Sequence, residues 1–146
     1  MKRNRIYILM CLIFFFFMVG FSNDIENKEN TIIVEKQIEK TNEFKHHREI
    51  KDAREIQEIR DILGSLNWQF TYEDFFSGPD YRFYLKDTYG TSDSKGEMYK
   101  LWISPTLKNV EIVVHGQAKY VQLDKGKSAR LFELLTGNTL GMYPLH

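Results

Sequence analysis

Residues 110–123, with the sequence VEIVVHGQAKYVQL, decide the fold of this chain. Two runs that contain apolar residues, Val110–Val114 and Ala118–Leu123, flank a short segment centred on Gly116. Paired runs of this kind, separated by a few turn residues, are typical of a β-hairpin. We therefore predict an antiparallel sheet that contains this hairpin.

The register of the hairpin can be predicted from burial. A three-residue loop centred on Gly116 pairs Val114 with Ala118. The same register places Ile112 opposite Tyr120 and keeps one mostly apolar face, whereas a two-residue loop would mix the two faces. Three-residue loops commonly hold a glycine in the left-handed conformation, so this is the register that we expect.

Four further strands are predicted from the alternation of apolar and polar residues. Thr31–Glu39 alternates over most of its length, and Phe44–Ile50 can pair back onto it through a polar turn. Asp80–Lys86 and Met98–Ile103 alternate more cleanly, and the second of these places Trp102 on the face opposite its other apolar residues. One face of each strand is therefore expected to be buried.

The clearest helix is predicted for Asp52–Leu66. Asp52 is followed three residues later by Glu55, which is the capping-box pattern. In that pattern the first carboxylate accepts a backbone N–H and the second reaches back to the cap residue. Apolar residues recur on one side of the helix, while Arg54 and Glu58 have the spacing of an ion pair on the solvent side.

A last helix is predicted to begin with Ser128 as its cap and to run to about Leu135. The predicted element order is therefore β-β-α-β-β-β-β-α. This order indicates an α+β domain, in which two helices pack on one face of an antiparallel sheet of about four to six strands. We assign the single domain to residues 31–136 and a C-terminal tail to residues 137–146.

Residues 1–22 have the marks of an export signal. Three basic residues precede an unbroken apolar run, and Gly20 and Ser22 supply the small residues before a cleavage site. If it is not cleaved, the segment 6–22 is just long enough to anchor the chain in a membrane. Either a signal peptide or an anchor would deliver the following domain outside the cytoplasm, behind a polar tether at residues 23–30.

Cysteine content and charge narrow the predicted function. Cys11, the only cysteine, follows Met10 rather than the small residue of a lipoprotein signal, so no lipid anchor is expected. Residues 23–146 hold no cysteine, and hydrophobic burial rather than disulfides must stabilise their fold. They carry a net charge of −3, which disfavours nucleic-acid binding because such domains normally present a basic face.

Several short motifs resemble a known family. They are Glu49-Ile50-x-Asp52, Pro79-Asp80-Tyr81, Tyr99-Lys100-Leu101-Trp102-Ile103 and the Leu131–Leu135 helix. With the element order, they resemble the YhfM-like family of small extracytoplasmic, lipoprotein-type domains of Bacillus-type bacteria, over roughly residues 31–136. The resemblance implies an envelope-facing module and transfers no catalytic residue, and this chain lacks the lipobox cysteine common in that family.

Acidic residues and histidines form no pattern typical of a catalytic or metal site. Glu73, Asp74 and Asp80 lie among aromatic residues, and two carboxylates at a suitable distance could hydrolyse a glycoside. They are more simply explained as loop and turn residues. His46 and His47 are adjacent on an extended segment and so point to opposite faces, which prevents joint chelation. We predict no catalytic residue, no cofactor and no metal site.

Aromatic residues supply the candidate binding surface. Its members are Trp68, Tyr72, Phe75, Phe76, Asp80 and Trp102. Exposed aromatic side chains dominate many binding hot spots, but the same rings could instead fill the core. Core filling is the favoured interpretation for Trp68 and Phe70, and both interpretations stay open for Phe75, Phe76 and Trp102.

These features lead to a functional hypothesis. We expect a monomeric, non-enzymatic extracytoplasmic domain that binds a protein or a cell-wall component at the bacterial envelope. The alternatives are a secreted inhibitor or immunity-type protein and a carboxylate-dependent wall hydrolase that uses Glu73 or Asp80. Membrane contact is expected only through residues 6–22, if the leader is retained.

Overall fold

The computed structural model describes residues 31–39, 41–70, 78–86 and 95–142. Within these residues the chain forms seven strands and two helices, which confirms the predicted α+β class. The strands are β1 (Thr31–Gln37), β2 (Phe44–Ile50), β3 (Gln69–Phe70), β4 (Tyr81–Lys86), β5 (Lys95–Ile103), β6 (Val110–Val114) and β7 (Lys119–Gln122). The helices are α1 (Ala53–Gly64) and α2 (Lys125–Thr136).

The strands form one antiparallel sheet in the order β2-β1-β4-β5-β6-β7-β3. β2 and β3 are therefore the two edges of the sheet. The described residues contain seven strands rather than the predicted four to six. The additional strand is β3, whose two residues are too few to show an alternating pattern.

Alternation along the strands gives the sheet two different faces. The helix face packs against α1 and α2, and its most deeply buried strand residues include Ile32, Val34, Tyr81, Phe83, Leu101 and Ile112. Ile59 of α1 and Leu131 of α2 belong to the same core cluster, so both helices lie on one face, as predicted. The opposite face, called the back face here, carries half-buried residues that include Arg82, Lys100 and Trp102.

Two glutamates of α1 bind arginines of other elements rather than the local partners predicted for them. Asp52 caps α1 as predicted, since its Oδ1 accepts the N–H groups two and three residues later at 2.9 and 3.0 Å. The predicted return of Glu55 to the cap is wrong, because its carboxylate binds the guanidinium of Arg48 at 3.1 and 3.2 Å. Glu58 likewise binds Arg130 of α2 at 2.6 and 2.8 Å, rather than the arginine four residues earlier. For Glu55, the guanidinium offers two parallel donors where the cap residue would offer one backbone N–H.

The helix α2 begins one turn earlier than predicted. Its N-cap is Asp124, whose Oδ1 accepts a first-turn N–H at 2.9 Å. Ser128 lies inside the helix, and its buried hydroxyl accepts the N–H of Val110 at 3.0 Å and donates to the carbonyl of Leu123 at 3.2 Å. The prediction of Ser128 as the cap is therefore wrong. The low helix propensity of Gly126 concealed the first turn in the sequence.

The predicted hairpin is present with a different register. β6 and β7 pair Ile112 with Val121, so the predicted pairing of Ile112 with Tyr120 is wrong by one residue. Such a shift exchanges the two faces of a strand. It buries Val121 and Leu123 against the core and places Tyr120 on the back face. The loop has four residues and contains Gly116 with φ 76°, in the left-handed region as expected.

An extra residue in β2 directs two neighbouring side chains toward the end of α2. The pairing of β2 with β1 shifts by one residue at this point, which is a β-bulge. His47 contacts the ring of Tyr81 edge to face, with centroids 5.4 Å apart, and its Nε2 lies 3.2 Å from the carbonyl oxygen of Thr136. Arg48 donates to the carbonyl of Leu134 at 2.8 Å. The bulge thus ties this edge of the sheet to α2.

The leader and the tether lie outside the described residues, which begin at residue 31. Across the part of the chain that the structure describes, no helix combines the length and the apolar character needed to cross a bilayer. The export signal and the anchor alternative, both of which concern residues 1–22, therefore stay predictions. Residues 143–146 of the predicted tail also lie outside the described chain.

Candidate binding cleft

Half of the predicted binding surface lies outside the described residues. The segment 71–77 contains the candidates Tyr72, Phe75 and Phe76 and the carboxylates Glu73 and Asp74. Their role in binding or catalysis stays a prediction. The structure places the other three candidates, Trp68, Asp80 and Trp102, in three separate environments.

Trp68 packs against the hydrophobic core. Its side chain is half-buried, and the indole Nε1 donates to the carbonyl of Leu63, at the end of α1, at 3.3 Å. Its ring lies 6.3 Å, centroid to centroid, from the ring of Tyr99 on the helix face. Trp68 therefore partly fills the core, and its place in the binding surface stays a prediction.

Asp80 links two central strands. It lies directly before β4, and its Oδ2 accepts the backbone N–H of Ile103, the last residue of β5, at 2.7 Å. Burial raises the pKa of the Asp80 carboxyl above its ordinary value, and the hydrogen bond from Ile103 opposes that rise. The contacts of this carboxylate indicate a structural role.

Trp102 and Phe70 complete the set of aromatic candidates. Trp102 lies on the back face of β5, opposite Glu111 of β6, as its position in the alternating pattern predicted. Phe70 ends β3 with 83 % of its surface exposed, so core filling is wrong for Phe70. Because Trp68 faces the helices and Trp102 faces away from them, the structure does not join these residues into one surface.

The two adjacent histidines are separated as predicted. His46 is exposed and pairs with Glu35 in the ladder, whereas His47 contacts Tyr81 and Thr136 as described above. Among the described residues, no three side chains of the metal-binding types come together as a metal site. The prediction that the protein binds no metal stays a prediction.

A cleft of about 490 Å³ lies at the β3 edge of the sheet. Three segments form its walls: the connection from α1 into β3, the end of β7, and the first turn of α2. The lining residues are Ser65, Leu66, Asn67, Gln69, Tyr120, Val121, Gln122, Leu123, Asp124 and Lys127. The volume falls within the range of small-molecule sites, about 300 to 1,000 Å³.

The early divergence of β3 from β7 creates this cleft. Gln69 pairs with Tyr120 in the ladder, but the preceding residue, Trp68, turns away and donates its N–H to the carbonyl of Leu66 at 3.2 Å. On β7, Leu123 donates its N–H inward to Val110 at 3.0 Å. Successive residues of a strand point their backbone groups in opposite directions. The N–H and C=O of Gln122, the residue before Leu123, therefore point outward to the cleft.

The side chains that the cleft exposes are mostly polar. Three carboxamides, from Asn67, Gln69 and Gln122, are exposed at the rim. The Gln122 Nε2 also lies 3.3 Å from the Glu111 carboxylate. Leu66, Val121 and Leu123 also line the cleft, but they are buried. The cleft therefore offers a ligand mainly hydrogen-bonding groups.

The cleft carries one acidic and one basic residue. Asp124 is held as the helix cap, and Lys127 lies in the same first turn. The formal charges of the two side chains cancel, so the cleft has no net charge. Such a site is suited to a neutral ligand.

Sequence reasoning missed this cleft because its residues are distant along the chain. Asn67 and Gln69 lie more than fifty positions before Gln122, and only the antiparallel pairing of β3 with β7 brings them together. The available signal was weak: two carboxamides at alternate positions, followed by aromatic residues. The two residues of β3 were too few for this pairing to be predicted.

Comparisons of the chain with models of protein families, with curated proteins and with solved structures find no match. The resemblance to YhfM-like domains therefore stays a prediction.

Proposed function

We propose that this protein is a non-enzymatic binding domain that acts outside the cytoplasm and holds a cell-wall component at the bacterial envelope. The cleft between β3, β7 and α2 is the observation that carries this proposal. It presents exposed hydrogen-bonding side chains and outward backbone groups at one edge of a firmly packed sheet. The export signal predicted for residues 1–22 supports the location.

Several side chains of the types that act in catalysis are held in contacts that stabilise the fold. This supports a binding role over a catalytic one. The Asp80 carboxylate accepts a backbone N–H of β5. The His47 ring contacts the end of α2, and the buried Ser128 hydroxyl joins α2 to β6 and to the end of β7. A general acid, base or nucleophile must instead reach a substrate.

Sedimentation with purified bacterial cell walls would test this function. We would compare the full-length chain with a cleft triple variant, Asn67→Ala/Gln69→Ala/Gln122→Ala. The control is a matched triple variant of exposed residues elsewhere, Asn42→Ala/Gln57→Ala/Gln117→Ala. We expect the wild type and the matched triple to sediment with the walls and the cleft triple to stay in solution.

A location measurement completes the test. A reporter fused to the C-terminus should show activity only outside the cytoplasm. Equal wall sedimentation of the cleft triple and the matched triple would contradict the cleft as the binding site. A reporter that is active in the cytoplasm would contradict the location.

A second function, a secreted inhibitor or immunity-type protein, is favoured by one observation, the exposure of Phe70 at the tip of β3. A large exposed ring at a sheet edge can anchor a protein partner. This function predicts stoichiometric binding of one enzyme without turnover. Phe70→Ser would weaken that binding, whereas Gln69→Ala, one residue away, would leave it unchanged.

A further inference from the structure

We propose that the ligand of the cleft is an uncharged saccharide. This inference rests on the proposed binding function and names the chemical class of the ligand. Its basis is the combination of charge, shape and side-chain type in the cleft at the β3 edge.

The charge of the cleft disfavours ionic ligands. An anionic ligand near Lys127 would meet the carboxylate of Asp124, which lies at the same end of α2 and accepts its first-turn N–H at 2.9 Å. A cationic ligand would meet the ammonium of Lys127. The Coulomb interactions of a charged ligand with the two groups are of opposite sign. A neutral ligand therefore loses the least electrostatic free energy when it enters the cleft.

The shape of the edge disfavours an extended peptide. A peptide that adds to a sheet gains its affinity from a row of main-chain hydrogen bonds. In this cleft only Gln122 directs its N–H and C=O outward between the end of β3 and the start of α2. A single residue supports one short pair of bonds. The site is therefore suited to a compact ligand rather than to an added strand.

The side chains of the cleft are complementary to a sugar ring. Each of the carboxamides of Asn67, Gln69 and Gln122 can both donate and accept hydrogen bonds, as a pair of neighbouring hydroxyl groups does. Leu66 and Val121 line the cleft but are buried, so the surface open to a ligand is mostly polar and suits a ligand rich in hydroxyl groups.

Titration of the full-length chain with four defined probes would test this inference. The probes are tetra-N-acetylchitotetraose and maltotetraose, which are neutral, tetragalacturonate, which is anionic, and tetra-alanine, which is a short peptide. Calorimetry would give the affinities, and amide chemical shifts would locate the binding site. We expect at least one neutral tetrasaccharide to bind and to shift the amide of Gln122.

The cleft triple should lose about tenfold or more in affinity for that sugar, the factor to which about 1.4 kcal/mol corresponds. The matched triple should keep the wild-type affinity. Both sets replace exposed carboxamides, and Gln57, Gln117 and Gln122 each donate to an acidic side chain in the folded chain. General effects of removing carboxamides would therefore appear in both triples.

Three results would overturn the inference: binding of tetragalacturonate or tetra-alanine alone, binding of no probe, or sugar binding that the cleft triple retains. If the walls sediment the protein through the cleft and no neutral sugar binds, the ligand class is wrong while the proposed function stands. If a neutral sugar binds the cleft and the walls do not sediment the protein, the proposed wall target is wrong while the ligand class stands.

Discussion

The two edges of the sheet differ in how completely they are closed. The β2 edge has seven residues, and its bulge directs His47 and Arg48 onto the carbonyl groups at the end of α2. The β3 edge has two residues and leaves a cleft of about 490 Å³ beside β7. We infer that side chains at the first edge stabilise the fold and that those at the second are available for binding.

The largest expected effect of a single substitution is at the closed edge. Arg48→Ala removes a bidentate bond to Glu55 and a bond to the carbonyl of Leu134, and so weakens the contact of β2 with both helices. We expect the free energy of unfolding to fall by about 2 to 3 kcal/mol, the range for charge-assisted bonds. Urea denaturation of the full-length chain would measure it.

Arg54→Ala is the matched control, because Arg54 is an exposed arginine at the start of α1. We expect Arg54→Ala to change the free energy of unfolding by no more than about 0.5 kcal/mol. Equal costs for Arg48→Ala and Arg54→Ala would show that the β2 edge is not held by these bonds. In that case the side chains of the β2 edge would not stabilise the fold more than exposed side chains do.

A substitution at the centre of the sheet tests whether the functional site lies there instead. Asp80→Ala removes the acceptor of the Ile103 N–H and should cost about 1 to 2 kcal/mol. Asp80→Asn keeps an acceptor oxygen and should cost less. Because burial raises the pKa of this carboxyl in the folded state, folding favours its protonated form.

The pH dependence follows from that direction. The contribution of Asp80 to the unfolding free energy is fully present below the ordinary pKa of 3.8 and is lost as the pH rises through the higher folded-state value. The free energy of unfolding of the wild type, relative to that of Asp80→Asn, should therefore fall as the pH rises. Denaturation of both proteins at a series of pH values would measure this difference. A wall-hydrolysing activity abolished by Asp80→Asn would instead move the functional site to the centre of the sheet.

A smaller effect is expected for the bulged residue of β2. His47→Ala removes the edge-to-face contact with Tyr81 and the contact with the carbonyl of Thr136. We expect a loss of about 1 kcal/mol, measurable as a lower urea midpoint. His46→Ala, at the exposed neighbour, should leave the midpoint unchanged. A larger cost for His46→Ala would contradict the role of the bulge.

The smallest effect on stability is expected at the open edge. Gln122→Ala removes an exposed side chain whose hydrogen bond to Glu111 is 3.3 Å long, so the free energy of unfolding should change by less than about 0.5 kcal/mol. Sugar or wall binding should nevertheless weaken. A stability loss as large as that of Arg48→Ala would show that this edge, too, is mainly structural.

The sequence was sufficient for elements whose pattern is local. The bounds of Phe44–Ile50 match β2, and the Asp52 cap marks the true start of α1. The sides taken by Tyr99 and Trp102 also match the structure, because period-two alternation acts within one strand.

Features that depend on distant partners could not be predicted. Glu55 binds Arg48 instead of the N-terminus of its own helix. Ser128 does not cap a helix, because its hydroxyl is buried between α2 and β6. The register of β6 and β7 was missed because a four-residue loop buries Val121 more completely than the shorter loop would. The cleft lies where β3 diverges from β7. No local sequence pattern predicts this divergence, because the two strands are distant along the chain.

The bulge in β2 has a consequence for the comparison of sequences. Phe44 and Ile50 are six positions apart, a separation that in a regular strand would place them on the same face. Here Phe44 lies against Arg82 on the back face, with its ring centroid 4.2 Å from the guanidinium carbon, and Ile50 is buried with the core. A sequence alignment that requires buried and exposed residues to alternate without a break would therefore misalign half of this strand. A one-residue gap should be allowed at His47 when distant homologues are aligned.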